Sequence, residues 1–245
     1  MPEIFEVGGC IRDSFLGIES NDIDFTFVLD DLDQSVEAGF DIMSKHLDDE
    51  GFQVFLKTPE CFTIRAKFPK KHQFEGLVAD FVMARKETGY IEGTRKPILE
   101  LGTLHDDLQR RDFTVNAIAK DVEGNLVDPF NGQEDIEKKV LRTPLDPMVT
   151  MMDDPLRVLR ALRFSVTKSF FVDQPLIDAM RQPDILQKLK ETVSVERIRE
   201  EVNKMMRHNT PASMTLLVAF DSEVKGFLEL VFGDRMWLKP TMEKR

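Results

Sequence analysis

Thiols, imidazoles, long apolar runs and net positive charge are all scarce in this chain, and each scarcity removes a class of protein. Cys10 and Cys61 are the only cysteines among 245 residues, and they lie far apart. That spacing offers no thiolate metal set. It fits free thiols in a reducing compartment, so a cytoplasmic location is expected. Four histidines are present, none spaced with a cysteine or another histidine as zinc ligands are. No stretch of about 18 apolar residues occurs, so no membrane span is expected. The opening MPEIFEVGGC has neither a basic segment nor an apolar core, so no secretion signal is expected either. The net charge is −11. That argues against a general nucleic-acid coat protein but leaves room for RNA gripped by local patches. Those patches are Lys67, Lys70 and Lys71; Arg95 and Lys96; Arg110 and Arg111; and Arg157, Arg160 and Arg163. The first set carries no other signal and reads as solvated surface.

Against these absences stand a 42% hydrophobic content, enough for one large domain or a domain with an appendage, and one organising stretch. That stretch is Val7-Gly8-Gly9-Cys10-Ile11-Arg12-Asp13, followed by Asn21-Asp22-Ile23-Asp24-Phe25. Residues 4–7 read as a strand ending at the glycine pair, and residues 10–16 as a helix stopped by Gly17. Adjacent glycines let a backbone approach phosphate oxygens because no Cβ intervenes. Arg12 can add a charge-assisted contact to phosphate. Residues 23–29 alternate as a half-buried strand does, with Ile23, Phe25 and Phe27 on one face and Asp22, Asp24 and Thr26 on the wet one. Two carboxylates on one face repel unless a cation lies between them, and hard oxygen ligands of this kind suit magnesium. The plainer alternative is two surface aspartates, one capping a turn. The preceding Gly8, Gly9 and Arg12 weigh against it.

Farther along, residues 34–50 place Val36, Phe40, Met43 and Leu47 on one helical stripe, closed by Gly51. Residues 52–56, 62–68 and 77–84 read as strands. Asp80 interrupts the last of these among apolar neighbours, where a carboxylate is costly unless paired or metal-bound. It reads as a third acid beside Asp22 and Asp24, or else as a surface aspartate near a strand end. Residues 85–102 are polar and non-periodic and read as a long mobile loop. Residues 106–119 read as one helix, in which Arg110 or Arg111 needs an anionic partner near the core. Residues 122–128 suggest a hairpin turning at Gly124-Asn125, and residues 135–140 a short helix. Pro144 and Pro147 then break the chain. The expected organisation is a head over residues 1–145 and a helical part over 146–245. Helices are expected at 154–166, 175–181, 184–190, 194–207 and 211–220, with everything from Asp153 onward helical.

The first of those helices offers a second candidate site. At 100° per residue, Val158, Leu159, Leu162 and Val166 share one arc, while Asp154, Arg157, Arg160 and Arg163 take the other half. Guanidinium forks suit phosphates and base edges. Asp154 before Pro155 also makes a good helix cap, so capping is a full alternative for it.

These blocks together resemble a known family. Gly8-Gly9-x-x-Arg12-Asp13, Asp22-x-Asp24, Arg110-Arg111-Asp112-Phe113-Thr114-Val115-Asn116-Ala117 and Asp153-Asp154-Pro155-Leu156-Arg157-x-x-Arg160-x-x-Arg163-Phe164 are similar, in order, to the motifs of the class II (bacterial-type) tRNA nucleotidyltransferase/poly(A) polymerase family. Agreement is weaker at Val195-Glu196-Arg197-Ile198-Arg199-Glu200-Glu201. The resemblance implies an α+β fold, a nucleotidyltransferase head with a small mixed sheet followed by an all-helical neck. It also implies an enzyme adding CMP and AMP from CTP and ATP to the 3′ end of tRNA. By the same resemblance, Gly8, Gly9 and Arg12 would bind triphosphate, and Asp22 and Asp24 would hold Mg2+. Asp80 would polarise the RNA 3′-hydroxyl, and Arg111 would contact the nucleotide or brace its pocket. Asp154 and Arg157 would read the base edge, with Arg160 and Arg163 completing that pocket. Two departures stand out. Asp153-Asp154 replaces the family's usual Glu-Asp, and the C-terminal helical region is expected to be short, a shortage that a homo-oligomer or a partner chain would compensate. Two rivals are a poly(A)-, CC- or A-only adding relative acting on other RNA, and a non-catalytic nucleotide- or RNA-binding module.

Overall fold

Alternating apolar and polar residues build one mixed sheet in the first part of the chain. The computed structural model describes residues 2–20, 23–90 and 97–233, and the chain divides into two units, Met1–Glu137 and Lys138–Arg245. In the first unit, β1 (Glu3–Val7) leads into α1 (Gly9–Phe15), then β2 (Asp24–Val28), α2 (Val36–Asp49), β3 (Gln53–Thr58), β4 (Thr63–Lys67) and β5 (Val78–Met83). After these come β6 (Arg85–Tyr90), β7 (Pro97–Leu101), α3 (Leu104–Gln109), β8 (Ala119–Lys120), β9 (Leu126–Val127) and α4 (Gly132–Lys138). The main sheet runs in the order β3-β4-β5-β2-β1-β8-β9. Only the β2–β5 pair within it is parallel.

Helix α2 starts where Ser35 Oγ accepts from Ala38 N at 3.1 Å. It buries the expected stripe of Val36, Phe40, Met43 and Leu47 on a core that includes Phe25, Phe27, Ile64, Phe81 and Met83. The helix lies so close that a Cβ on Gly39 would come within 2.8 Å of Leu101 Cδ2 and 2.9 Å of Leu29 Cδ1. The other face of β2 is not uniformly wet as expected. Asp24 is exposed, but Thr26 is fully buried and donates to Asp107 Oδ2 on α3 at 2.9 Å.

Two expectations are corrected here. Residues 85–102 are not a structureless loop: β6 and β7 form an antiparallel ribbon, apart from residues 91–96, which lie outside the described residues. The ribbon is a separate two-stranded sheet, so its strands need not carry the apolar alternation of the main one. Residues 106–119 are not one helix. Helix α3 stops at Gln109, a 3-10 turn covers Thr114–Asn116, and the chain then enters β8. Asp112 explains the break, because its Oδ1 accepts from both Phe113 N at 2.9 Å and Asn116 Nδ2 at 2.8 Å, which competes with helical pairing. The hairpin near Gly124 is present, as β8 paired with β9.

The second unit is mostly helical: α5 (Pro147–Asp153), α6 (Arg157–Thr167), α7 (Gln174–Met180), α8 (Pro183–Thr192), α9 (Val195–His208), α10 (Thr210–Glu223) and α11 (Phe227–Phe232). Side chains of Asp146, Asp173, Ser194 and Asn209 cap α5, α7, α9 and α10. A short parallel pair, β10 (Val140–Leu141) with β11 (Phe171–Val172), shows that not everything after Asp153 is helical. Helix α6 buries Val158, Leu159 and Leu162 and packs on α9. No helix among the described residues is long and apolar enough to cross a membrane.

Candidate active site

Sheet register brings the acids together. Asp24 of β2 stands opposite Asp80 of β5, so the two carboxylates share a level on strands about 5 Å apart. On the far side of Asp80, β4 places Arg65 at the same level. Arg65 donates Nε to Asp80 Oδ1 at 2.7 Å and Nη2 to Oδ2 at 2.6 Å. Toward β1 the row reaches Val7, opposite Asp24 and immediately before the glycine pair. The row Arg65, Asp80, Asp24, Val7 therefore leads straight into the turn. Asp22 lies outside the described residues. Among the described residues no group of three His, Cys, Asp or Glu side chains is arranged to hold a metal. Asp24 and Asp80 nonetheless supply hard oxygen donors side by side, the chemistry that magnesium takes.

The turn itself is built on close approach. Gly8 has φ +81, which disfavours any side chain there, and a Cβ would meet Arg111 Nη1 at 2.8 Å, so Arg111 would have to shift. Arg111 is fixed from below, its Nη2 lying 2.9 Å from Asp107 Oδ2 and 3.4 Å from Thr26 Oγ1. Arg110 pairs with the other oxygen of the same carboxylate. Burial pushes the Asp107 carboxyl up, but the Arg111 and Arg110 guanidiniums and the hydrogen bonds outweigh it and hold it down at about 2. Arg12 is 7% exposed. Its Nε donates to Asp13 Oδ1 at 2.9 Å and its Nη1 to Asn116 Oδ1 at 2.5 Å. It thus ties α1 to the segment that follows Arg111, and a Cβ on Gly9 would lie 3.4 Å from its Nη2. Cys10 is no nucleophile here, since burial, with the Glu6 charge beside it, pushes its thiol up to about 12.

The second unit presents its own cluster. Asp154 Oδ1 accepts from Leu156 N at 3.2 Å in the turn ahead of α6, whose own N-cap is Leu156 without a side-chain cap, while its Oδ2 pairs with Arg197 of α9 at 2.8 Å. Arg157 Nη1 donates to the Thr150 carbonyl at 3.0 Å. Arg163 Nε donates to Glu201 Oε2 at 2.6 Å, and Arg160 Nη1 lies 3.7 Å from Glu201 Oε1. Arg163 also stacks 4.4 Å above the Phe164 ring. Glu201 is 4% exposed.

Three partners were missed in the sequence. Asp107 had a signal, an acid four residues before Arg111 on one helical face. Glu201 had one too, because it falls on the buried stripe of Ile198, Val202 and Met205. Arg65 had none, since only strand register selects it.

Comparison with known proteins fits this geometry. A family model described as the poly A polymerase head domain matches residues 4–142. A CCA-adding enzyme of Geobacillus sp. (strain WCH70) is 34% identical over 206 residues, covering 83% of this chain and 45% of its own. Nucleotidyltransferase lcsQ of Purpureocillium lilacinum is 33% identical over 226 residues, covering 83% and 36%. A crystal structure of a tRNA nucleotidyltransferase complexed with a primer tRNA and an incoming ATP analog matches at TM-score 0.68 and 29% identity, over 94% of this chain and 59% of that one. The Bacillus stearothermophilus CCA-adding enzyme in complex with CTP matches at TM-score 0.70 and 25% identity, over 92% and 50%. The chain spans less than half the length of these two curated relatives.

Proposed function

The chain belongs to the poly(A) polymerase head-domain family, and from that membership we propose that it is a magnesium-dependent RNA nucleotidyltransferase adding CMP and AMP, from CTP and ATP, to the 3′ end of tRNA. The observation that carries this reading is the Asp24–Asp80 pair, set at one level of adjacent parallel strands beside the Gly8-Gly9 turn. The tRNA part of the reading is supported by the relatives, one a CCA-adding enzyme and one solved with a primer tRNA and an incoming ATP analog.

On this reading the backbone at Gly8 and Gly9 approaches the triphosphate, with Arg111 adding positive charge beneath it. Arg12 keeps the turn in place through Asp13 and Asn116. Asp24, with Asp22, would hold Mg2+. Bound there, the ion supplies positive charge to the triphosphate and to the attacking oxygen. Asp80 has one lone pair on each oxygen committed to Arg65 and a second left over, with which it can accept the proton of the acceptor 3′-hydroxyl.

In the second unit, Asp154 and Arg157 are proposed to read the base. Cytosine and adenine both present an amino donor beside a ring nitrogen acceptor, which a carboxylate and a guanidinium match; guanine and uracil present a carbonyl where the amino group should be. Arg160 and Arg163, gripped by Glu201, would complete that pocket.

The test is incorporation of labelled CTP and ATP, separately and together, into tRNA transcripts ending before CCA, after C and after CC, with magnesium. Ordered addition that stops at CCA is expected. Long A tracts or addition of a single base would move the assignment to a specialised relative. Nucleotide binding without incorporation on any acceptor would overturn transfer altogether.

A further inference from the structure

Arg65 belongs to none of the motifs, yet it makes the most complete contact in the carboxylate row. One planar fork takes both oxygens of Asp80, at 2.7 and 2.6 Å. The side chains are 54% and 28% exposed, so the pair sits at the open surface of the sheet and not in its core. Stability alone gives little reason for such a pair, because exposed ion pairs are worth at most about 1 kcal/mol. Its geometric consequence is larger. A bidentate fork fixes both the position of a carboxylate and the plane in which it lies. It also sets a positive charge on one flank of Asp80 while Asp24 lies on the other. Without that charge the two neighbouring acids repel, and the partly exposed Asp80 can swing toward water.

We propose, on the transfer reading above, that Arg65 is a positioning residue that aims Asp80 at the acceptor 3′-hydroxyl. It acts through Asp80 and not on the nucleotide. Its effect therefore belongs in turnover and not in nucleotide binding, since the Gly8-Gly9 turn follows β1, separated from β4 by both β5 and β2.

The experiment compares the wild type with Arg65→Ala and Arg65→Lys by steady-state kinetics on a tRNA acceptor and by equilibrium binding of CTP. Arg65→Ala should lower kcat on the order of 100-fold, the usual consequence of misplacing a reacting group by about 1 Å. The CTP KM and the measured CTP affinity should stay at wild-type values. Arg65→Lys should recover part of the loss, because an ammonium restores the charge but not the fork. A purely structural role would lower stability and yield without separating kcat from KM. A readout independent of turnover is the Arg65 Nε–H resonance, which should be protected from exchange in the wild type and lose that protection in Asp80→Asn. Wild-type kcat in Arg65→Ala, or an unprotected resonance, overturns the role of Arg65 while leaving an active wild type as a transferase. An inactive wild type overturns both.

Discussion

Two buried acids, one in each unit, solve the same problem differently. Asp107 and Glu201 each grip two arginines of a motif to which they do not themselves belong. The Asp107 grip is local, since its partners Arg110 and Arg111 follow three and four residues later on the extension of α3. Forming that helix is nearly enough to make it, and the helix C-terminus favours the cations as well. The Glu201 grip is remote, with Arg163 lying 38 residues earlier in the chain. It exists only once α6 has packed on α9. The local grip is also the drier one, with the Asp107 side chain 1% exposed against 6% for Glu201. A local, dry grip should hold its unit firmly; a remote one reports whether two helices are docked.

The sharpest way to break this contrast is to remove each acid. Asp107→Ala leaves two partly buried guanidiniums without their counter-charge and should cost about 3–5 kcal/mol in urea unfolding. It should also weaken nucleotide binding, because Arg111 lies directly beneath Gly8. Next in size is the response to acid. The Asp107 carboxyl is held at about 2 in the fold against an ordinary 3.8. A lowered value means that ionisation favours the folded state. The stabilisation is therefore complete above 3.8 and is lost as pH falls from there through about 2. It is on the order of 2–3 kcal/mol. Acid unfolding of Asp107→Asn should lack that dependence; an unchanged profile would assign the acid sensitivity to other carboxylates. Glu201→Ala should cost less, about 2 kcal/mol, because Arg163 keeps its ring contact with Phe164 and Arg160 is 32% exposed to water. A loss equal to that of Asp107→Ala would erase the distinction between the two grips.

The sequence made periodic features legible and tertiary choices illegible. The Gly8-Gly9 turn and the stripe of α2 follow from local rules, and the structure contains both; the alternation expected along β2 does not persist beyond Phe25. Thr26 broke the alternation because α3 covers that side of β2, which nothing within residues 23–29 announces. The segment Asp112–Ala119 does not continue the helix expected over residues 106–119. Every residue in it is buried, so no polar face remains, and its polar side chains are paired with one another, with Asp135 or with Arg12. The ribbon of β6 and β7 escaped detection because it is a separate two-stranded sheet whose sequence carries no regular apolar alternation. In the candidate site the motif residues were legible by type and spacing. Their partners Arg65, Asp107 and Glu201 were not assigned, since a counter-charge is chosen by whichever strand or helix arrives beside it.

Asp154 extends the contrast to a third case with the roles exchanged. Here the motif supplies the acid and α9 supplies the arginine, Arg197, at 2.8 Å. Both side chains are substantially exposed, at 32% and 52%. Arg197→Ala should therefore change stability by less than about 1 kcal/mol, the smallest effect of the series. The contact to Leu156 N survives the substitution, so the turn between α5 and α6 is kept. What changes is the freedom of the Asp154 carboxylate. If Asp154 reads the base, its loss of orientation should narrow the preference for CTP and ATP over UTP and GTP by about 10-fold in kcat/KM, within the range that one well-made base contact is worth. If the preference stays intact in Arg197→Ala yet disappears in Asp154→Ala, the turn contact to Leu156 N alone orients the acid. In that event the grips of Asp107 and Glu201 differ from this pair in kind, since a buried charge must be held by its partner while an exposed one can be aimed by the backbone.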